Sequence, residues 1–204
     1  MKVNWTITFI AINFLVFVLE FFLPLTDIFS FVPANAFSEP WTFVTSIFLH
    51  AHLTCDVLGN CVPYFNHIFF NMIALFFFGL YLESRVSSRV FLFNYFLAGI
   101  IGNIAYLITD PVGIIPAVGA SGAIYGVMGA LTILAPSLIV FIGGFMPMPM
   151  AIAAIFWVIL NVVGLFNPSG IAYQAHLGGI FVGILVGLYL RLRIKKKDYV
   201  FYFE

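Results

Sequence analysis

IAYQAHLGGIFVGILVGLYL, residues 171–190, contains no Asp, Glu, Lys or Arg, and RLRIKKK follows it at 191–197. Its length matches the about 20 residues that a helix needs to cross the hydrocarbon core of a bilayer. The basic cluster behind it is the mark of a cytoplasmic end. His176 interrupts the apolar character near its start, and Gly179, Gly183 and Gly187 follow on the same helical face. Small residues four apart let membrane helices approach closely.

The rest of the chain has the same character. Of 204 residues, 63% are hydrophobic and 8% charged, with a mean hydropathy of +1.14. Soluble domains carry roughly 25% charged residues, so lipid must be the solvent for most of this surface. Five more apolar segments run over about 3–23, 67–82, 90–109, 121–135 and 150–165. With 171–190 they predict an all-α polytopic membrane protein, one domain over 1–204 with six transmembrane helices and a basic tail at 191–204. The segments at 67–82 and 121–135 are short, so they should run steeply or begin below the membrane surface. Lys2 and the apolar run after it resemble a cleavable signal, but a signal's apolar region is only about 7–15 residues. Trp5 to Leu23 is longer and reads as a retained first span.

Charge sets the orientation. The basic residues are Lys2, Arg85, Arg89, Arg191, Arg193, Lys195, Lys196 and Lys197. Six spans place all of them on one side, and positive charge marks the cytoplasmic face. Both termini are therefore expected in the cytoplasm, in a cell or plasma membrane. The net charge is zero, and nothing points to nucleic acid or a cofactor as a partner. The outer connection at 24–66 is long and rich in Phe, Ile and Trp, which predicts short helices lying in the interface.

Reactive side chains inside a membrane are costly and default to a functional reading. Ser121 lies in Gly119-Ala120-Ser121-Gly122, where the fourth segment begins. The preceding Val112–Val118 is apolar and reads as a loop dipping into the membrane. Ser121 would then sit below the surface at a helix N-terminus, whose free N–H groups favour an anion. His176 lies on the order of 7–8 Å into the sixth segment. His67 and Asn71 stand one turn apart at the outer start of the second. Ser121, Tyr125, Gly129, Gly122 and Gly126 fall within an arc of about 140°, so two glycine-lined faces could bring Ser121 Oγ within reach of His176. A serine beside a general base can carry out covalent acyl transfer. The Asn71 amide, His67 and the Ser121 N–H would be the oxyanion donors. No acidic residue is evident near His176, which predicts a dyad.

These motifs resemble the rhomboid family of intramembrane serine proteases. Gly119-Ala120-Ser121-Gly122 with Tyr125 is similar to its G-x-S-G motif and trailing Tyr. Ala175-His176 with Gly179 and Gly183 resembles A-H-x-x-G-x-x-x-G, and His67 with Asn71 resembles H-x-x-x-N. Glu83 and Arg85 match E-x-R; Trp41 and His50 fit positions in the first loop. The resemblance covers about residues 40–190. It implies a six-helix bundle with a cavity opening outward, Ser121 and His176 as catalytic dyad, and Tyr125 packed on the histidine. The implied reaction is hydrolysis of peptide bonds in or near transmembrane segments of membrane-protein substrates. Thr42 stands where many members have Arg, and an insertion between His50 and His67 carries Cys55 and Cys61.

Plainer readings stand beside these. A serine in a glycine-rich helix start is often only a packing residue, and a lone buried histidine is often structural. Tyr125 could be core filling. Glu83 and Arg85 read as an ion pair at the cytoplasmic end, and Glu20 as an interfacial residue without a role. Cys55 and Cys61 could form a disulfide in an oxidising compartment. With His50 and His52 they permit a zinc reading, but the spacing matches no common zinc pattern and no metal is assigned. The rival functions are a catalytically inactive rhomboid-like protein that binds membrane clients, and a small transporter. The transporter reading is weakened by the lack of an internal repeat.

Overall fold

The computed structural model describes residues 3–55, 61–167 and 170–193. The tail expected at 191–204 is described as far as Arg193; Lys195, Lys196 and Lys197 lie outside the described residues.

The chain opens with α1 (Trp5–Glu20). A connection follows with α2 (Leu25–Phe29), a 3-10 turn at Pro33–Asn35, α3 (Thr42–Thr45) and a second 3-10 turn at Ser46–Phe48. Next come β1 (Leu53–Cys55) and β2 (Cys61–Pro63), an antiparallel hairpin with Cys55 opposite Cys61. Then α4 (Asn66–Ala74) passes through a π turn, Leu75–Gly79, into α5 (Leu80–Glu83). After α6 (Ser88–Thr109) and α7 (Ser121–Leu134), a second hairpin is formed by β3 (Ile139–Ile142) and β4 (Met146–Pro149). The chain closes with α8 (Met150–Gly164) and α9 (Tyr173–Arg193).

Among the described residues, three stretches are long and apolar enough to cross a membrane: Asn66–Glu83, Ser88–Thr109 and Tyr173–Arg193. Three shorter apolar helices accompany them, α1, α7 and α8. The protein is an integral membrane protein, and its exposed surface shows why. Leu15, Phe22, Phe77, Phe93, Phe166 and Leu192 all face outward, which only a lipid solvent tolerates on this scale.

The structure is mostly helical, as expected, and two short hairpins stand beside the helices. In the second, β-branched Ile139, Val140 and Ile142 favour extended backbone. Gly143 and Gly144, at φ of 63° and 85°, supply the left-handed turn that other residues avoid. The apolar run continues through this turn, which hides it from a hydropathy reading.

α7 is the central helix, buried on nearly every side, and it packs against α9 and α6. A Cβ at Gly179 would collide with the carbonyl of Gly122, and one at Gly183 with the carbonyl of Gly126. The two backbones therefore touch, and the obstacles are main-chain atoms that cannot rotate away. Gly183→Ala is expected to cost about 1–3 kcal/mol through overpacking. A clear fall in the thermal unfolding midpoint in detergent would show it, and an unchanged midpoint would disprove the tight seam.

Two carboxylates tie elements together. Glu83, at the end of α5, accepts from the backbone N–H groups of Trp5 and Thr6 at 2.8 Å each and from the Thr6 hydroxyl at 2.7 Å. It thereby satisfies orphan amides of the α1 N-terminus. Glu20 is not the interfacial bystander expected: it is 4% exposed. Its carboxylate accepts from the His50 backbone N–H at 3.1 and 3.3 Å and from Thr26 Oγ1 at 3.0 Å. Those bonds are what make burial of the group tolerable.

Candidate active site

The loop before α7 is stapled to the first connection. Phe31 and Ala117 exchange backbone hydrogen bonds of 3.0 and 2.8 Å, and Gly119 N–H donates to the Ser46 carbonyl at 2.9 Å. Asn103 Nδ2 on α6 donates to the Phe43 carbonyl at 3.0 Å and to Ser46 Oγ at 2.9 Å. Gly119 adopts φ +123°, and a Cβ there would lie 2.8 Å from His67 Nε2. Glycine is therefore needed at 119 for the turn and for the approach of the histidine. The loop delivers Ser121 as the first residue of α7, where the leading amides have no intrahelical acceptor.

Ser121 Oγ lies 2.7 Å from His176 Nε2 on α9. This contact follows from the glycine seam, since Gly122 meets Gly179 one turn inside it. Tyr125 stacks on the imidazole, with ring centroids 4.5 Å apart and planes at 18°. His176 Nδ1 is 2.8 Å from Asn161 Oδ1 on α8, and Asn161 Nδ2 donates to Tyr125 OH at 3.1 Å. Asn161 was not singled out from sequence. The signal that could have found it is its chemistry: a carboxamide inside an otherwise apolar helix of a membrane protein is costly unless it is used.

His67 and Asn71 line the same cavity as Ser121 and His176, a space of about 790 Å³. The Ala51 N–H donates to His67 Nδ1 at 3.1 Å, so that nitrogen carries the lone pair and Nε2 the proton. His67 thus presents an N–H donor beside Gly119. Asn71 Nδ2 donates one hydrogen to the His67 carbonyl at 2.8 Å and keeps a second. His50 packs on His67 with centroids 5.0 Å apart. Burial, with His67 beside it, pushes the His50 pKa down to about 3, so it adds no charge there. A smaller cavity of about 20 Å³ also borders Ser121, with Ser46 and Asn103 among its walls. That is room for one water molecule.

Cys61 is disulfide-bonded, and in the strand register Cys55, the last residue of β1, stands opposite it. Leu53 and Tyr64, side by side at the open end of the hairpin, line the large cavity.

Fold and site define a class: a helical integral membrane protein with a serine–histidine pair facing a cavity at one end of its bundle. The chain belongs to the rhomboid family, because residues 37–193 match the family model of the Rhomboid domain. The rhomboid protein YdcA of Bacillus subtilis is 32% identical over 160 residues, which cover 78% of this chain and 70% of that protein. Rhomboid protease GluP of the same species is 32% identical over 154 residues, 76% of this chain and 27% of GluP. The mitochondrial Rhomboid protein 1 of Saccharomyces cerevisiae is 31% identical, over 70% of this chain and 43% of the yeast protein. The chain thus spans less than half the length of these last two.

Proposed function

We propose that this protein is an intramembrane serine endopeptidase that cleaves transmembrane segments of membrane proteins through Ser121 and His176. The observation that carries the reading is the 2.7 Å contact between Ser121 Oγ and His176 Nε2, on a cavity also lined by His67 and Asn71. The relative named as a rhomboid protease supports it.

In this reading His176 Nε2 takes the proton of the Ser121 hydroxyl as Oγ bonds to the scissile carbonyl carbon. The carbonyl π electrons move onto oxygen, and the resulting anion meets His67 Nε2–H, the Asn71 amide and the Ser121 N–H. Such donors act where charge develops. When the C–N bond breaks, His176 returns the proton to the leaving amine. Water then attacks the acyl-enzyme, with His176 again as base, and frees the acid and Ser121.

The three shorter helices complete a six-span bundle with both termini cytoplasmic and the cavity opening outward. A helix of 14 residues covers only about 21 Å against a hydrocarbon core of about 30 Å. If α7 ends at the inner boundary, Ser121 lies about 9 Å below the outer one. That depth suits a peptide bond near the outer end of a substrate helix. The first connection, with α2 and α3, would lie along the outer interface.

The test is proteolysis of a generic single-span substrate by purified protein in liposomes, alongside a fluorophosphonate probe. Product and probe labelling are both expected from wild type. An intact protein that neither cleaves nor labels at Ser121 would instead be a non-catalytic client binder.

A further inference from the structure

We propose that Asn161 is a positioning residue that holds His176 in the tautomer able to act as base toward Ser121. The proposal rests on the reading of Ser121 as nucleophile and His176 as its base.

A neutral imidazole carries one proton, and only the form with an unprotonated Nε2 can accept from Ser121 Oγ. Which nitrogen holds the proton is decided by what each one faces. Asn161 Oδ1 and Nδ2 look alike in shape, so their assignment must come from their partners. Here one partner leaves no choice. The Trp157 carbonyl, one turn earlier on α8, lies 2.8 Å from the Asn161 amide. A carbonyl only accepts, so the atom beside it is Nδ2 and the atom facing His176 is Oδ1. At 2.8 Å from Nδ1, that oxygen can only accept as well. Nδ1 therefore carries the proton, and Nε2 presents its lone pair to Ser121.

The remaining capacity of the carboxamide is used too. Its second N–H goes to Tyr125 OH at 3.1 Å, and Asn161 is 3% exposed, so no water competes for it. Tyr125 meanwhile stacks on the imidazole and limits its rotation. A run of fixed donors and acceptors thus leads from a main-chain carbonyl of α8 to the catalytic base. When His176 takes the serine proton and becomes a cation, Asn161 Oδ1 keeps accepting from Nδ1–H, and that bond gains charge assistance. The arrangement does the orienting work of a third residue without an acidic group. A plain structural role, tying α8 to its neighbours, would ask nothing of the histidine proton.

The experiment reads that proton directly. Protein labelled with 15N-histidine is examined at neutral pH in lipid nanodiscs, with His176→Gln used to assign the signals. Wild type should show a protonated Nδ1 and an unprotonated Nε2 at His176. Asn161→Leu removes both amide groups at similar volume, and the proton should redistribute toward Nε2. In the cleavage assay kcat should fall about tenfold to a hundredfold through misplacement of the base, with KM within about twofold. Asn161→Ala, which cannot overpack, is read by the same nitrogen signals should the leucine variant misfold. Wild-type nitrogen shifts at His176 in either folded variant would overturn the proposal, whatever its rate. A wild type that does not cleave would count against the protease reading alone, since the tautomer is visible without turnover.

Discussion

Ser121→Ala and His176→Ala should each abolish cleavage of a single-span substrate in liposomes, with a loss on the order of 10⁶ in kcat, as for serine–histidine pairs that act as a unit. The alanine at 121 leaves no oxygen to attack the carbonyl. The alanine at 176 leaves a serine hydroxyl with no base at 2.7 Å and nothing to protonate the leaving amine. If both side chains serve the same proton transfer, as proposed, the double variant should be no slower than either single one. Neither change should unfold the bundle, since the α7–α9 seam is made by Gly179 against Gly122 and Gly183 against Gly126. His176→Ala does forfeit the stack on Tyr125, so its unfolding midpoint should drop more than that of Ser121→Ala. Turnover by Ser121→Ala above the background of empty liposomes would remove the serine from the mechanism.

How far the fold can be read from the chain depends on which force shapes each part. The apolar stretches around α6 and α9 are long enough that lipid alone dictates a helix, and composition reports that directly. The π turn at Leu75–Gly79 has no such signature. Its sequence, LFFFG, is as apolar as its surroundings, and the widened turn is one where Gly79 packs against Thr6 of α1. That is a tertiary cause invisible to periodicity. Glu20 is a similar case. A carboxylate near the end of a span reads as interfacial, and only its bonds to the His50 amide and to Thr26 explain its burial.

The site divides along the same line. Ser121, His176, His67 and Asn71 could be placed by counting residues from the helix starts, because depth along a helix is fixed by its rise. The pairing of Ser121 with His176 could be argued from glycine spacing, which reports close approach. Asn161 depends on neither depth nor spacing but on rotation, and the rotation of α8 about its axis is poorly marked in MAIAAIFWVILNVVG. Any face of that helix could have met α7. The lone carboxamide was the one clue, and it marks the face that does.

Asn71→Ala should lower kcat by about 10²–10³ and leave KM nearly unchanged, the loss expected when one oxyanion donor is removed. The donor geometry makes this more than an analogy. One Asn71 hydrogen is held by the His67 carbonyl at 2.8 Å, which fixes the amide plane relative to the histidine one turn before it. Asn71 and His67 line the same cavity as Ser121. A carbonyl in the ground state gains little from them, while the tetrahedral anion gains a great deal, so the effect should fall on turnover rather than binding. Asn71→Asp sharpens the test. It keeps the size of the side chain, but an ionised carboxylate has no hydrogen to donate and repels the developing charge. It should therefore be slower than Asn71→Ala, whereas a residue that merely fills space would tolerate the isosteric change better than the truncation. Turnover of Asn71→Ala at the wild-type rate would take the residue out of the oxyanion site and leave His67 and the Ser121 amide as its donors.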